Sequence, residues 1–577
     1  MIKNKTRNIV NNKYFELILV IIINVFFFII CNKLFTPKYE QVDDFIIMNL
    51  ISKMDGSYSI YGIQMHPLIC QIIILLYKTT INVNWYTIFL LSMQFISFTI
   101  IGTVFIKKNR SIGIPLYIAL IFMMYSKMLS YIQYTTVSML CIASGFILLM
   151  YAIKKIEKIN KSCFIIAILM ILIGCMIRFS TMIIALPFIA IFFICKLIKE
   201  KSSKIIKIAL VLIASVLLVN ISFYIIYNIN PIYKEFLKFH DARTYLHDYN
   251  WMNYDNNEEI FNNVNWSEND RDIFYAYCFG DEEVFNTNTL EMLKMSALNN
   301  IDNINILQRL FNTFDSFINS IKSKTYKFIF LITSMLVICN NLFIIFKEKK
   351  DERNDTIKIS FINLTLIAIL GMHCLFIFLN RPMFRVVISI YILGIGILIY
   401  CILENIKYLN KKIAKVIFIL IILFIGILEL NQNINYAKDY NIENYSVYKE
   451  ILEYTNSYKE NAYLYTLSMH DRYLAYSIYE KVGDNALLNV RPLGDWDTYT
   501  KNYYDFKERY YIENLMESLY KNDNVYIISG DVIWNEDYKE YINIIVKYIK
   551  EHYSVDLQCN IVKEFKNNLK IYKLQEK

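Results

Sequence analysis

The feature that most constrains this chain is a series of about eleven apolar runs, each long enough or nearly long enough to span a bilayer core of about 30 Å. They fall near 14–35, 85–106, 112–127, 129–153, 162–178, 179–195, 207–228, 326–346, 359–380, 384–403 and 416–431. A shorter run, 67–80, is expected to re-enter the membrane or lie along its surface. With 56% hydrophobic and only 19% charged residues among 577, the expected fold class is a polytopic α-helical membrane protein. The N-terminal run, preceded by Lys3, Lys5, Arg7 and Lys13, is too long for a cleaved signal and lacks a small-residue cleavage site. It reads as a retained signal anchor.

The loops set an orientation. Every second one is basic: Lys107, Lys108 and Arg110; Lys154, Lys155, Lys158 and Lys161; Lys196, Lys199, Lys201, Lys204 and Lys207; Lys347, Lys349, Lys350 and Arg353; Lys407, Lys411, Lys412 and Lys415. The positive-inside rule puts these loops and the N-terminus in the cytoplasm and the C-terminal tail outside a plasma membrane. This pattern also accounts for the net charge of +9 without a nucleic-acid partner, since no basic groove is seen. Nine of the eleven cysteines lie within or beside apolar runs, and no Cys/His spacing suggests zinc.

Four regions follow: 1–228, an N-terminal transmembrane region with a first outer loop at 36–84; 229–325, an outer loop, partly helical; 326–431, a second transmembrane region; and 432–577, an outer α/β domain. In the last, strands are expected at Ala462 to Leu467, Asn524 to Ser529 and Leu569 to Leu574, with helices at Ser446 to Tyr454, Tyr504 to Tyr520 and Tyr538 to Glu551. Helical spacing of apolar residues from Ile301 to Ile321 predicts an amphipathic segment packed on the membrane domain.

The polar stretch 36–67 carries an adjacent acidic pair, Asp43 and Asp44. Two neighbouring carboxylates at a membrane surface repel, which favours a raised pKa for one and suits a general base. The alternative is helix capping of an amphipathic segment over 45–51. Ionisable side chains at membrane depth are functional candidates. Arg178 joins two apolar runs with almost no loop, and Arg381 and Arg385 stand four residues apart at another helix end. Guanidinium forks suit phosphate oxygens, with snorkelling to lipid headgroups as the alternative. His66 precedes Pro67 and either orients an acidic group or opens a helix. Gln133, Thr135 and Thr136 either line the fourth span or satisfy its backbone. In the loop containing FHDARTYLHDYNW (239–251), Asp241, Arg243 and Asp248 are candidate sugar or phosphate contacts, or solvated surface. Asp495-Trp496-Asp497 matches the Asp-x-Asp metal pattern of nucleotide-sugar enzymes. On an outer face, where nucleotide sugars are unavailable, it reads as a loop with a packed tryptophan, and His470-Asp471-Arg472 as a helix start.

Taken together, a short cytoplasmic N-terminus, a first span, an outer loop with Asp43-Asp44-Phe45 and two juxtamembrane helices (45–54 and 67–80), many further spans and an outer α/β tail resemble the type C (GT-C) glycosyltransferases. The bacterial group using polyprenyl-phosphate sugars on cell-envelope polymers is the nearest in layout. The resemblance covers 14–431 and implies inverting transfer of a sugar from a polyprenyl-phosphate donor to a surface glycan, wall polymer or lipid acceptor. Asp43 or Asp44 would be the base, and Arg178, Arg381 and Arg385 the donor-phosphate contacts. No cofactor is implied; a divalent metal serves oligosaccharyl-transferring members, but this loop lacks their Asp-x-Asp spacing. The alternatives are a glycan polymerase, a lipid or glycan flippase, and a non-catalytic scaffold.

Overall fold

The computed structural model describes residues 14–577 apart from 81, 250–251, 300–305, 348–350, 410–411, 481–482, 484 and 535–536. Lys3, Lys5, Arg7, Lys13, Trp251, Ile301, Lys349, Lys350 and Lys411 therefore lie outside the described residues. Among those described, ten helices are long and apolar enough to cross a membrane. They are Phe15–Leu34, Trp85–Lys108, Arg110–Ser130, Tyr134–Ala152, Ser180–Glu200, Ser203–Ile229, Lys327–Ile345, Glu352–Phe378, Phe384–Tyr408 and Lys412–Lys438. An eleventh apolar helix, Lys161–Ile177, has 17 residues and is about 26 Å long at 1.5 Å per residue. The protein is a multi-pass membrane protein. Each expected run is thus helical, but the one placed at 129–153 begins only at Tyr134. Tyr131–Ile132 is extended, and the Gln133 side chain caps the helix by accepting from the Thr135 and Thr136 amides at 2.5 and 3.3 Å.

The fold comprises two compact units. The first takes the described residues of Met1–Glu40, Thr87–Ser222 and Ile306–Tyr440, and contains nearly all of the spans. Its centre is formed by Tyr134–Ala152 and Phe384–Tyr408, each 94% buried, whereas Phe15–Leu34 is only 22% buried and presents Ile18, Ile22 and Phe26 outward. Lipid tails are as apolar as these side chains, so helices associate through close packing and internal hydrogen bonds. Glycine permits the closest approach. A Cβ on Gly145 would stand 2.6 Å from the Ala167 carbonyl oxygen, and one on Gly174 2.7 Å from that of Ser138. The Ser138 hydroxyl donates to the Gly174 carbonyl at 2.7 Å across the same helix pair. Elsewhere Tyr117 donates to Asn24 at 2.6 Å, and Asn24 to Thr99 at 3.0 Å, tying three spans together. Asn405 donates to Asn340 at 3.0 Å, and Asn340 to the Leu398 carbonyl at 3.1 Å. The Ile306–Lys322 helix belongs to this unit. Arg309 fixes it by donating to the Phe378 carbonyl at 2.7 Å, while Leu307, Phe311 and Phe314 form an exposed apolar stripe.

The second unit gathers Gln41–Tyr86, the described residues of Phe223–Asn305, and those of Asn441–Lys577. It is α/β. Numbering strands along the whole chain, β1 (Lys38–Tyr39) and β2 (Tyr131–Ile132) form a small parallel ribbon in the first unit. The second unit holds β3 (Ala462–Tyr465), β4 (Val490–Pro492), β5 (Val525–Ser529), β8 (Leu557–Glu564) and β9 (Lys570–Glu576), in the sheet order β4-β3-β5-β9-β8. β3 is parallel to β4 and β5, and β9 is antiparallel to β5 and β8. A separate hairpin joins β6 (Asp531–Trp534) to β7 (Asp537–Glu540). The expected strands at 462, 524 and 569 are present, with β4 and β8 in addition. The helix expected over Tyr504 to Tyr520 is two helices, Lys501–Arg509 and Leu515–Lys521, and that expected from Tyr538 begins at Tyr541. The first two are separated by Tyr511 in the left-handed region (φ 55°) and by an Asn514 cap.

Candidate functional site

The acidic pair opens the Val42–Ser52 helix in the second unit. Gln41 is its N-cap and contributes no side-chain bond, so Asp43 and Asp44 occupy the first turn rather than the cap itself. There the first amides lack intrahelical acceptors and the helix dipole is positive, which favours carboxylates. The helix is not a surface element: all of its residues are buried, Asp43 being 6% and Asp44 0% exposed. The Tyr86 hydroxyl donates to Asp44 at 2.8 Å.

Phe45, the next residue, stacks on Tyr476 at 5.6 Å and lies 5.8 Å from the Arg472 guanidinium. This brings in the 3₁₀-helical segment Leu467–Ala475. Arg472 is 3% exposed, rests on the Tyr465 ring at 4.6 Å, donates to the Met469 carbonyl at 3.1 Å and stands 4.0 Å from Asp495. Burial pushes the Asp495 carboxyl up to about 6, against the opposing pull of Arg472. The neighbouring Trp496, whose amide donates to Asp495 at 2.7 Å, lies half-buried under a second guanidinium, Arg243, at 4.9 Å.

Arg243 is 1% exposed. Its Nη2 donates to Thr244 at 3.0 Å, but Nε and Nη1 are buried with no hydrogen-bond partner among the described residues. It precedes a π-helical turn, Tyr245–Tyr249, a feature often found at functional sites. Within that turn burial, reinforced by the Arg243 charge, pushes His247 down to about 3, so it is neutral at physiological pH. Asp43 shares this electrostatic neighbourhood. Burial raises the Tyr277 phenol, on which the charges of Arg243, Asp248, Asp495 and Asp43 also act, and burial lowers His470, where Asp471, Arg472 and Asp43 contribute.

Two glycines allow the backbone segments carrying these groups to touch. A Cβ on Gly494 would lie 2.5 Å from the Phe279 amide nitrogen, and one on Gly280 2.2 Å from the Leu493 carbonyl oxygen. Asp497 instead turns to Arg491 at 2.6 Å, so the two carboxylates of Asp495-Trp496-Asp497 serve different arginines. Asp55 follows the same helix and accepts from Asn502 at 2.9 Å. Its Oδ1 is buried with no partner among the described residues, and burial pushes the group up to about 6.

The remaining sequence candidates are distributed as follows. Asp241 is exposed and pairs with Lys294. His66 caps the Pro67–Thr79 helix, its Nδ1 accepting from the Leu68 amide at 3.2 Å. In the first unit, half-buried Arg178 ends the Lys161–Ile177 helix. It donates to Thr135 and, at 3.0 Å, to Ser180, with its guanidinium 5.1 Å from the Tyr134 ring. Arg385 is 3% exposed and forms an ion pair with Glu40 at 3.5 Å, while the Glu40 amide donates to the Ile132 carbonyl at 2.9 Å. Arg381, half-buried, lies before that helix, after Asn380 in the left-handed region. Sequence reasoning singled out Arg243 but missed the parts played by Glu40, Arg472, Asp495 and Trp496. For the last two the Asp-x-Asp spacing is the local signal.

No protein-family model matches the chain, and no curated protein matches it in sequence. Among solved structures the chain is similar to the crystal structure of ArnT from Cupriavidus metallidurans in the apo state. The match covers 96% of this chain and 97% of that one, at 8% identity and a TM-score of 0.42.

Proposed function

We propose that this chain is an integral-membrane glycosyltransferase of the type C architecture, moving a sugar from a polyprenyl-phosphate donor to a surface glycan, wall polymer or lipid acceptor on the outer face of a plasma membrane. The observation that carries this reading is the buried acidic pair, Asp43 and Asp44, set among Arg472, Asp495, Arg243 and the aromatic rings of Phe45, Trp496 and Tyr277. Carboxylates and guanidinium groups buried together are costly to fold and are found where charge must be handled.

In the proposed reaction Asp43 or Asp44 accepts the proton of the acceptor hydroxyl as its oxygen attacks the anomeric carbon. The bond from that carbon to the donor phosphate breaks, and the phosphate leaves with the electron pair. Attack from the face opposite the leaving group inverts the anomeric configuration. Arg178, Arg381 and Arg385 are assigned to the donor phosphate, where fixed positive charge offsets the charge developing on the leaving group. Trp496 offers a ring face to a sugar. The reaction so written uses no cofactor, and EDTA is expected to leave transfer unchanged.

The test is transfer by the purified full-length chain in nanodiscs supplied with polyprenyl-phosphate sugars and an extract of envelope acceptors. Appearance of free polyprenyl phosphate together with glycosylated acceptor supports the reading. Movement of intact donor across the bilayer without cleavage would replace it with a flippase.

A further inference from the structure

The lysine-rich end of the first unit does more than carry the charge that orients a membrane protein. Seven lysines from separate segments converge on one cavity of about 440 Å³. Lys108 forms its floor: the side chain is 4% exposed, ion-paired to Glu404 at 2.8 Å, and laid on the face of Tyr400. Lys154 reaches the same carboxylate at 3.9 Å, and Lys358 donates to Tyr408 at 3.3 Å. Lys196 is held by Glu200 just outside the lining. Lys155, Lys199 and Lys407 complete the rim and are exposed. Among the described residues Glu404 is the one carboxylate in the lining, so seven lysines face it, with Glu200 on Lys196 beside them. Apart from Asn405 the remaining wall is apolar and aromatic, with Phe192, Phe361 and Ile362.

Topology alone requires basic loops; it does not require them to gather around a concave space with a buried ammonium at its base. Like charges brought together repel, and a bound anion relieves that repulsion. We infer that this cavity is a binding site for a phosphate-bearing anion, supplied by the headgroup of an anionic phospholipid in the leaflet at the lysine-rich end. The lysines would hold the phosphate, and Phe192, Phe361 and Ile362 the start of an acyl chain. Basic pockets between transmembrane helices are a recurrent means of holding such headgroups. This inference is independent of the proposed glycosyl transfer.

The test uses the full-length chain in detergent, with phosphatidylglycerol, phosphatidylcholine and inorganic pyrophosphate as probes, and reads bound ligand by native mass spectrometry and thermal shift. The variant is Lys155→Gln, Lys199→Gln, Lys407→Gln, all at exposed positions that leave the fold intact. The control is Lys201→Gln, Lys204→Gln, Lys207→Gln, exposed at the same end but outside the cavity lining. Wild type is expected to retain and be stabilised by phosphatidylglycerol but not phosphatidylcholine. The cavity variant is expected to bind about a hundred-fold more weakly, at roughly a factor of five for each of the three lysines, with the control unchanged. Pyrophosphate that binds as tightly as the lipid and displaces it would overturn the lipid assignment in favour of a soluble anion. Equal loss in both triple variants, or none in the cavity variant, would overturn the site.

Discussion

Arg243 is the residue whose energetics speak most directly for function. A guanidinium with two nitrogens buried and unpartnered among the described residues lowers stability, because its lost hydration is not replaced. Arg243→Met keeps most of the volume and removes the charge. Thermal unfolding of the full-length chain is expected to show it unchanged or more stable by about 1–3 kcal/mol, while transfer falls at least ten-fold. A destabilised Arg243→Met would assign the arginine to the fold. Arg178 is tested by a gentler change. Lysine keeps the charge but cannot form a bidentate fork, so Arg178→Lys is expected to lower kcat/KM by about one to two decades, corresponding to roughly 1.5–3 kcal/mol, if Arg178 contacts donor phosphate. Near wild-type transfer would leave it an anchor to Thr135 and Ser180. Asp55 gives a pH signature. Its folded carboxyl titrates near 6, above the ordinary 3.8, so the folded state holds its proton more tightly than the unfolded state. Its contribution to stability is therefore greatest below about pH 4 and declines as pH rises to about 6, by at most about 3 kcal/mol. Asp55→Asn is expected to flatten the Tm profile over that window and raise Tm at pH 7. Of these residues, the acidic pair and Arg178 were legible in the sequence because each is a charge set against apolar surroundings. The partners of Arg385 and Arg472 were not: Glu40 lies far away along the chain from Arg385, and Asp495 is brought to Arg472 only by the fold of the intervening β4 segment.

At the scale of elements, hydropathy located each of the ten long apolar helices among the described residues, because burial in lipid demands an unbroken apolar run. It could not locate interruptions made by hydrogen bonding, such as the β1–β2 ribbon and the Gln133 cap ahead of Tyr134. A capped amphipathic segment over 45–51 is one of two readings of the sequence, and in the Val42–Ser52 helix Asp43, Asp44, Asn49 and Ser52 are buried together with the apolar residues. A polar residue in a sequence reads as exposed unless its partners are known. β4 escaped detection because it is only three residues long and includes Pro492; β8 did so because LQCNIVKE offers few buried positions. The closest helix packing is also testable. Gly174→Val would drive a side chain against the Ser138 carbonyl, where no flexible atom can yield. Separation of Lys161–Ile177 from Tyr134–Ala152 is expected to lower Tm and yield, whereas Gly371→Val, where a Cβ meets nothing within 4 Å, should do neither.

For the molecule as a whole, the alternation of basic loops gives an orientation that labelling can test. Glu268 and Glu508 are exposed residues of the second unit, and Lys201 is exposed at the lysine-rich end of the first. With the half-buried Cys559 replaced by Ser, cysteines at 268 and 508 are expected to react with an impermeant maleimide on intact cells, and one at 201 only after permeabilisation. The reverse pattern would invert the topology. Alternation is legible because charge translocation is a local, additive property of loops. The assembly of the second unit from three separated segments was not legible, since the choice of loops that fold together depends on contacts made far along the chain. The central claim is that the buried acidic pair performs proton transfer in glycosyl transfer. Its most direct test is the rate of donor cleavage by Asp43→Asn, Asp44→Asn in nanodiscs, beside wild type and each single variant. Asparagine preserves shape and helix-start preference, so the fold and Tm should persist. Loss of a general base is expected to cost about 10²–10⁴ in kcat in the double variant and in one of the two single variants. A double variant that transfers sugar at the wild-type rate would contradict the claim.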